Sequence, residues 1–219
     1  MKHFQRELDK IKKMILSLGA LVEQRVNRIN QAIEDRDVAM AKEIMHLDHE
    51  IDDMEVEIEE ECLKIVALHQ PVAADLRFLV AVIKINNDLE RIGDQVVNIA
   101  QRVIRIAKRP VAPFNFDYSE MAAKAESMLR MSLDSLVNQD LDAAIKVLHL
   151  DDEVDKFKDE AYDRIKQAMA DGITDDVGYM INLLLISRHI ERLADHATNI
   201  AEEVAYMIEG EIVRHGRLE

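Results

Sequence analysis

Eight apolar residues, Val82, Ile85, Leu89, Ile92, Val96, Ile99, Val103 and Ile106, follow one another at alternating steps of three and four. Only one face of an α-helix satisfies that spacing over four heptads, and such a face must be buried against other helices. The same seam returns 101 residues later as Leu183, Ile186, Ile190, Leu193, Ala197, Ile200, Val204 and Met207. A long amphipathic helix used twice is the signature of an internal repeat.

The rest of the chain agrees. From Lys2 to Glu34, the residues Phe4, Leu8, Ile11, Ile15, Leu18, Val22, Val26, Ile29 and Ile33 mark a first helix, in which Gly19 signals a close helix contact. Asp35-Arg36-Asp37 reads as a turn, with Asp37 the N-cap of the next helix. A second helix is expected over Val38 to Leu68, carrying Ile44, Leu47, Ile51, Met54, Ile58, Ile65 and Leu68. Gln70-Pro71 punctuates it and leads into the third helix, which runs to about Lys108. Asp140 to Asp155 repeats Asp37 to Asp52 at an offset of 103. The change of offset to 101 removes two residues near Asp171-Gly172, where a turn tolerates a deletion. Pro110 and Pro113 lie in the one linker-like stretch. The expected fold is all-α: two tandem three-helix bundles over residues 1–109 and 117–219, joined by a linker at 110–116, with helices ~30–55 Å long.

Composition narrows the partners. Six glycines and three prolines suit long helices, and with five Phe, four Tyr and no Trp the core must be aliphatic. A net charge of −15 argues against a nucleic-acid backbone and against anionic lipid as partner, and favours cations or basic protein surfaces. The single cysteine, Cys62, fits a reducing compartment and a buried structural thiol. The charged N-terminus lacks the apolar core of a secretory signal, and the longest apolar run, Phe78 to Ile83, is far short of a span. Membrane association is therefore expected only through a partner.

Residues Asp88 to Ala100 and their copies, His189 to Ala201, are identical at six of thirteen positions. Among these are Glu90/Glu191, Asp94/Asp195 and Asn98/Asn199; on the preceding helix Asp48/Asp151 and Asp52/Asp155 also match. With Val82 at heptad position a, Glu90, Asp94 and Asn98 fall at b, f and c, off the seam; with Ile44 at a, Asp48 and Asp52 fall at e and b. Residues four apart stand about 5–6 Å apart at Cβ, so neighbouring stripes can gather carboxylates around a shared cation. Such a set repels itself unless a cation compensates, and all-oxygen donors suit Mg²⁺, Ca²⁺, Mn²⁺ or ferric iron, with Zn²⁺ left open. About one residue in five is acidic, so a single pair on a helix surface carries little weight. Five matched positions that folding does not need carry more. His46 and His149 also match, as surface or packing residues, whereas His196 faces Gln95 in the alignment. No Walker loop, His-Glu-x-x-His, Gly-x-Ser-x-Gly or paired cysteine is present. Three readings stay open at this point: a metal-binding regulator or adaptor, a carboxylate-bridged metalloenzyme acting as oxidase or hydrolase, and a purely structural helical scaffold.

Leu47-Asp48-x-x-Ile51-Asp52, His69-Gln70-Pro71-x-x-x-Asp75-Leu76-Arg77 and Asp88-Leu89-Glu90-Arg91-Ile92-Gly93-Asp94 closely resemble the PhoU family of phosphate-transport regulatory proteins. The resemblance covers essentially the whole chain. It implies a cytoplasmic, non-enzymatic homodimer that represses the phosphate-starvation response when phosphate is plentiful. It implies contact with a membrane sensor histidine kinase and with the ATPase of the phosphate ABC transporter. It also implies multinuclear metal, iron first, on Asp48, Asp52, Glu90, Asp94 and Asn98, and on Asp151, Asp155, Glu191, Asp195 and Asn199. The second copy departs from the pattern: Asp75-Leu76-Arg77 becomes Asp176-Val177-Gly178, and Asn87-Asp88 becomes Arg188-His189. Arg188 adds positive charge near the second copy, which weighs against equal metal occupancy of the two.

Overall fold

The computed structural model describes residues 2–109, 114–173 and 176–210. Among these residues the regular structure is entirely helical: α1 (Lys2–Asp35), α2 (Val38–His46), α3 (His49–His69), α4 (Ala73–Ala107), α5 (Ser119–Asn138), α6 (Leu141–Ala170) and α7 (Val177–Glu209). Segments α2 and α3 form one interrupted rod, so each repeat contributes three rods.

The helix ends follow from local chemistry. Arg36 closes α1 in the left-handed region at φ 51°, Asp37 N–H returns to the Ala32 carbonyl, and the Asp37 carboxylate accepts from Ala39 and Met40 N–H. The second repeat reuses this turn with Gln139 at φ 52° and Asp140 accepting from Ala143 N–H. Pro71 lies two residues before the start of α4. The second rod is not continuous as its periodicity predicts, because Leu47 leaves helical geometry at φ −94°, ψ 7°. There the His49 ring donates through Nδ1 to the His46 carbonyl at 2.9 Å, a side-chain bond that competes with the helix ladder. The counterpart of His49 is Asp152, which has no N–H to give, and α6 runs through that position unbroken.

The whole α4 seam from Val82 to Ile106 is buried, and so is the α7 seam from Leu183 to Val204, with Met207 partly covered. Both helices bury a second face as well, because α4 and α7 pack on each other while each also closes its own repeat. The contacts Lys84–Glu203, Asp88–His196 and Gln95–His189 descend α7 as they ascend α4, so the two helices are antiparallel. Helices α1 and α5 also meet, where the Gly19 backbone lets Leu133 approach to within van der Waals range of α1. The buried aliphatics of both repeats form one cluster.

Pro110 to Pro113, within the expected linker, lie outside the described residues. Its far end is tied down. Phe116 and Tyr118 are buried with rings 5.0 Å apart, and Tyr118 donates its hydroxyl to the Leu183 carbonyl at 2.6 Å. Cys62 is fully buried; burial first, then Glu59 and Glu61, pushes its pKa up to about 12, so the thiol is inert.

Candidate functional site

Gly93 sets the spacing of the first acidic groove. A Cβ there would meet Ile51 Cδ1 at 3.0 Å and Asp48 Oδ1 at 3.8 Å, so the missing side chain is what lets α4 lie close to the start of α3. Asp48 thereby joins Asp52 on one side of the groove and Glu90 and Asp94 on the other. The field of the groove acts on Asp48 and Glu90. Burial, then Asp52 and Asp94, raises the Asp48 pKa. Burial and Asp94, partly offset by Arg91, with Asp52 and Glu55 adding, raise that of Glu90. Glu55, one turn beyond Asp52, is raised by burial, Glu59 and Asp52. The Arg91 guanidinium lies 3.5 Å from both Glu90 and Asp94 and is half exposed on the outer side. Asn98 lies one turn further along α4, half buried. The stripes thus line a half-buried groove between α3 and α4 and do not stand on a fully open surface as the heptad positions suggest.

The second groove gathers Asp151, Asp155, Glu191 and Asp195. Asp195 is exposed by area, yet close packing of α6 and α7 around its base, then Glu191, Asp151 and Asp155, lift its pKa to about 6. Asp151 is raised by burial and by Asp155, and relieved by a hydrogen bond from Thr198. In this groove an ammonium group meets the acids: Lys158 Nζ lies 2.8 Å from Asp155 Oδ1 and 3.3 Å from Glu191 Oε1. Asn199 is turned elsewhere. Its amide donates at 3.0 Å to Asp88 Oδ1 of the other repeat, the same oxygen that accepts from His196 Nδ1 at 2.9 Å. His46 and His149 are exposed and take no described part in either groove.

The chemistry of the donors differs between the two. The first groove offers five carboxylates, with Arg91 on its outer rim and Arg25 and His49 near Asp48. That set fits a hard cation, which would relieve both desolvation and repulsion. The second offers four carboxylates, two of them, Asp155 and Glu191, already bridged by an ammonium.

Two other groupings escape a search for matched positions. Glu55 and Lys158 occupy equivalent places but differ in charge, so they are invisible to a list of identities. Asp88–His196 and His189–Gln95 are the same contact seen from the two repeats with its members exchanged, and no local spacing announces it. At the far end of α3, His3, Glu7 and His69 come together, with Glu7 Oε2 2.5 Å from His69 Nε2, pinning α1 to the end of α3.

The PhoU domain model matches the chain twice, over residues 15–103 and 118–204. The chain belongs to the PhoU family. It is similar to the phosphate-specific transport system accessory protein PhoU homologue of Pseudomonas aeruginosa, 33% identical over 98% of this chain and 88% of that protein. The corresponding protein of Aquifex aeolicus is 35% identical over 96% of this chain and 95% of its own length. The crystal structure of PhoU from Pseudomonas aeruginosa superposes with a TM-score of 0.90, at 33% identity, covering 95% of this chain and all of that one. The phosphate transport system regulatory protein PhoU from Streptococcus pneumoniae superposes with a TM-score of 0.89, at 29% identity, covering 97% of this chain and all of that one. The two matched segments coincide with the two helical repeats. The names these relatives carry are those of accessory and regulatory proteins, not of enzymes.

Proposed function

We propose that this chain is a cytoplasmic negative regulator of phosphate uptake and of the phosphate-starvation response. In this reading it works as a homodimeric adaptor between a sensor histidine kinase and the ATPase of a phosphate ABC transporter. The observation that carries the proposal is similarity along nearly the whole chain to proteins named as phosphate-specific transport system accessory proteins. Among the described residues no helix is long and apolar enough to cross a membrane, so contact with membrane machinery would run through protein surfaces. Surfaces of the required kind are present. Leu68, Val72, Leu76 and Val80 are exposed around the start of α4, and Met169, Ile173, Val177 and Ile181 around the start of α7. The net charge of −15 adds complementarity to basic partners.

The regulatory surface would include metal. Asp48, Asp52, Glu90 and Asp94, with Glu55 beside them, would hold a hard cation, iron first among the candidates, with Mn²⁺, Mg²⁺, Ca²⁺ and Zn²⁺ as others. Bound there, the ion would supply positive charge that locks α3 to α4. The regulatory reading is tested by deleting the gene in its source organism and following a phosphate-starvation promoter at high phosphate. Derepression reversed by the wild-type chain is expected; expression that stays repressed would count against the role.

A further inference from the structure

The two acidic grooves are built on equivalent helices of the two repeats, and they differ at one decisive position. Glu55 on α3 and Lys158 on α6 are equivalent at the offset of 103 that aligns Asp48 with Asp151 and Asp52 with Asp155. We propose that Lys158 takes the place of a metal ion in the second repeat, so that cation binding on the acidic stripes is confined to the first. The inference rests on the metal reading above and makes it specific to one groove.

The geometry is direct. Lys158 Nζ sits between the two helices that form the groove, 2.8 Å from Asp155 on α6 and 3.3 Å from Glu191 on α7, with Asp159 at 3.9 Å. An ammonium has three N–H donors and no acceptor, so two of them are spent on the carboxylates that a metal would use. A metal ion binds carboxylate oxygen at about 2.0–2.6 Å, so on these oxygens it would stand close against the positive charge of Nζ. Entry of a metal would therefore either set two cations side by side or displace Lys158 and break two charge-assisted hydrogen bonds. The lysine is well placed to stay, because its side chain is 30% exposed and Glu191 is 19% exposed.

The first groove reverses this. Glu55 replaces the ammonium with a further carboxylate, giving five acids, namely Asp48, Asp52, Glu55, Glu90 and Asp94. The second groove has the four matched acids and one ammonium, with Asp159 on the far side of that ammonium. The flanking arginines do not explain the difference, since Arg91 has its own counterpart in Arg192, and Arg25, the other arginine near Asp48, is paired with Glu50. The two repeats have thus taken different solutions to one electrostatic problem: an exchangeable cation in the first and a covalently tethered one in the second.

The test uses the full-length, untagged protein titrated with Mn²⁺ alone. Binding is counted by the loss of the free-ion electron paramagnetic resonance signal. It is located by paramagnetic broadening of amide resonances. In the wild type, broadening is expected around 48–55 and 90–94 at Mn²⁺ concentrations at least tenfold below any effect around 151–158 and 191–195. Glu55→Lys should weaken the first groove at least tenfold. Lys158→Glu should bring the second groove into the range of the first, and Lys158→Met, which keeps the aliphatic stem without the charge, should move it part of the way. Far-ultraviolet circular dichroism of each variant establishes that it is folded. Equal broadening of both grooves in the wild type would overturn the proposal while leaving the metal reading intact. So would a folded Lys158→Glu that gains no affinity while the first groove binds. No broadening of either groove would overturn the metal reading and the proposal with it.

Discussion

His189 shows how much of the α4–α7 contact depends on a single protonation state. The ring is buried, its Nδ1–H donates to Gln95 Oε1 at 3.0 Å, and Nε2 is enclosed with no hydrogen-bond partner among the described residues. Burial first, then Arg102, Arg192 and Arg188, lowers its pKa to about 4 from 6.5. The unfolded chain therefore takes up a proton near pH 6.5 that the folded chain refuses until about pH 4. The neutral ring contributes its full stability above pH 6.5, and that contribution is lost as pH falls through the window to about 4. At pH 5 the loss comes to about 2 kcal/mol. Urea unfolding at pH 7 and pH 5 checks this. His189→Gln should lose less stability than the wild type on acidification, by about that amount. Identical losses in the two proteins would show that His189 is not the group responsible.

At the scale of the helices, the interruption between α2 and α3 is the feature that spacing alone does not reveal. Ile44, Ile51 and Ile58 keep one periodic face through the break, so the apolar pattern looks continuous. What ends α2 is a hydrogen bond from His49 to the His46 carbonyl, and hydrophobic periodicity carries no information about it. His49→Asp, which copies Asp152, should restore helical geometry at Leu47. Backbone chemical shifts and slower amide exchange there would report it; an unchanged break would place its cause in the packing against α4. Other element-level features were legible. Every residue of the α4 seam is buried, and Asp37 caps α2 as its position after the turn suggests. The acids were legible as faces but not as sites. That Asp48 meets Asp94 depends on Gly93 and on how α3 crosses α4, and that Asn199 turns to Asp88 depends on the register between repeats. Glu55 and Lys158 were hidden for the opposite reason, since they are where the repeats disagree.

For the molecule as a whole, the repeat explains more than the existence of two bundles. The antiparallel packing of α4 on α7 exchanges partners about an approximate twofold: Asp88 meets His196 as His189 meets Gln95. At the two ends of the same helix pair, Arg77 covers Gly210, and Arg109 covers Gly178, with the arginine and glycine traded between repeats. Gly210 stands at φ 80°, where a side chain would be strained as well as crowded. Two halves joined in this way present one acidic groove each, on either side of a shared core. A cation taken up by only one of them would give a symmetric fold an asymmetric surface, a suitable basis for engaging two different partners.

The most direct test of this account is anomalous diffraction from crystals of the untagged protein grown with Fe²⁺ or Mn²⁺. A peak enclosed by Asp48, Asp52, Glu90 and Asp94, with Lys158 still seated between Asp155 and Glu191, is the predicted result. Metal density absent from the first groove, with its carboxylates solvated, would contradict it.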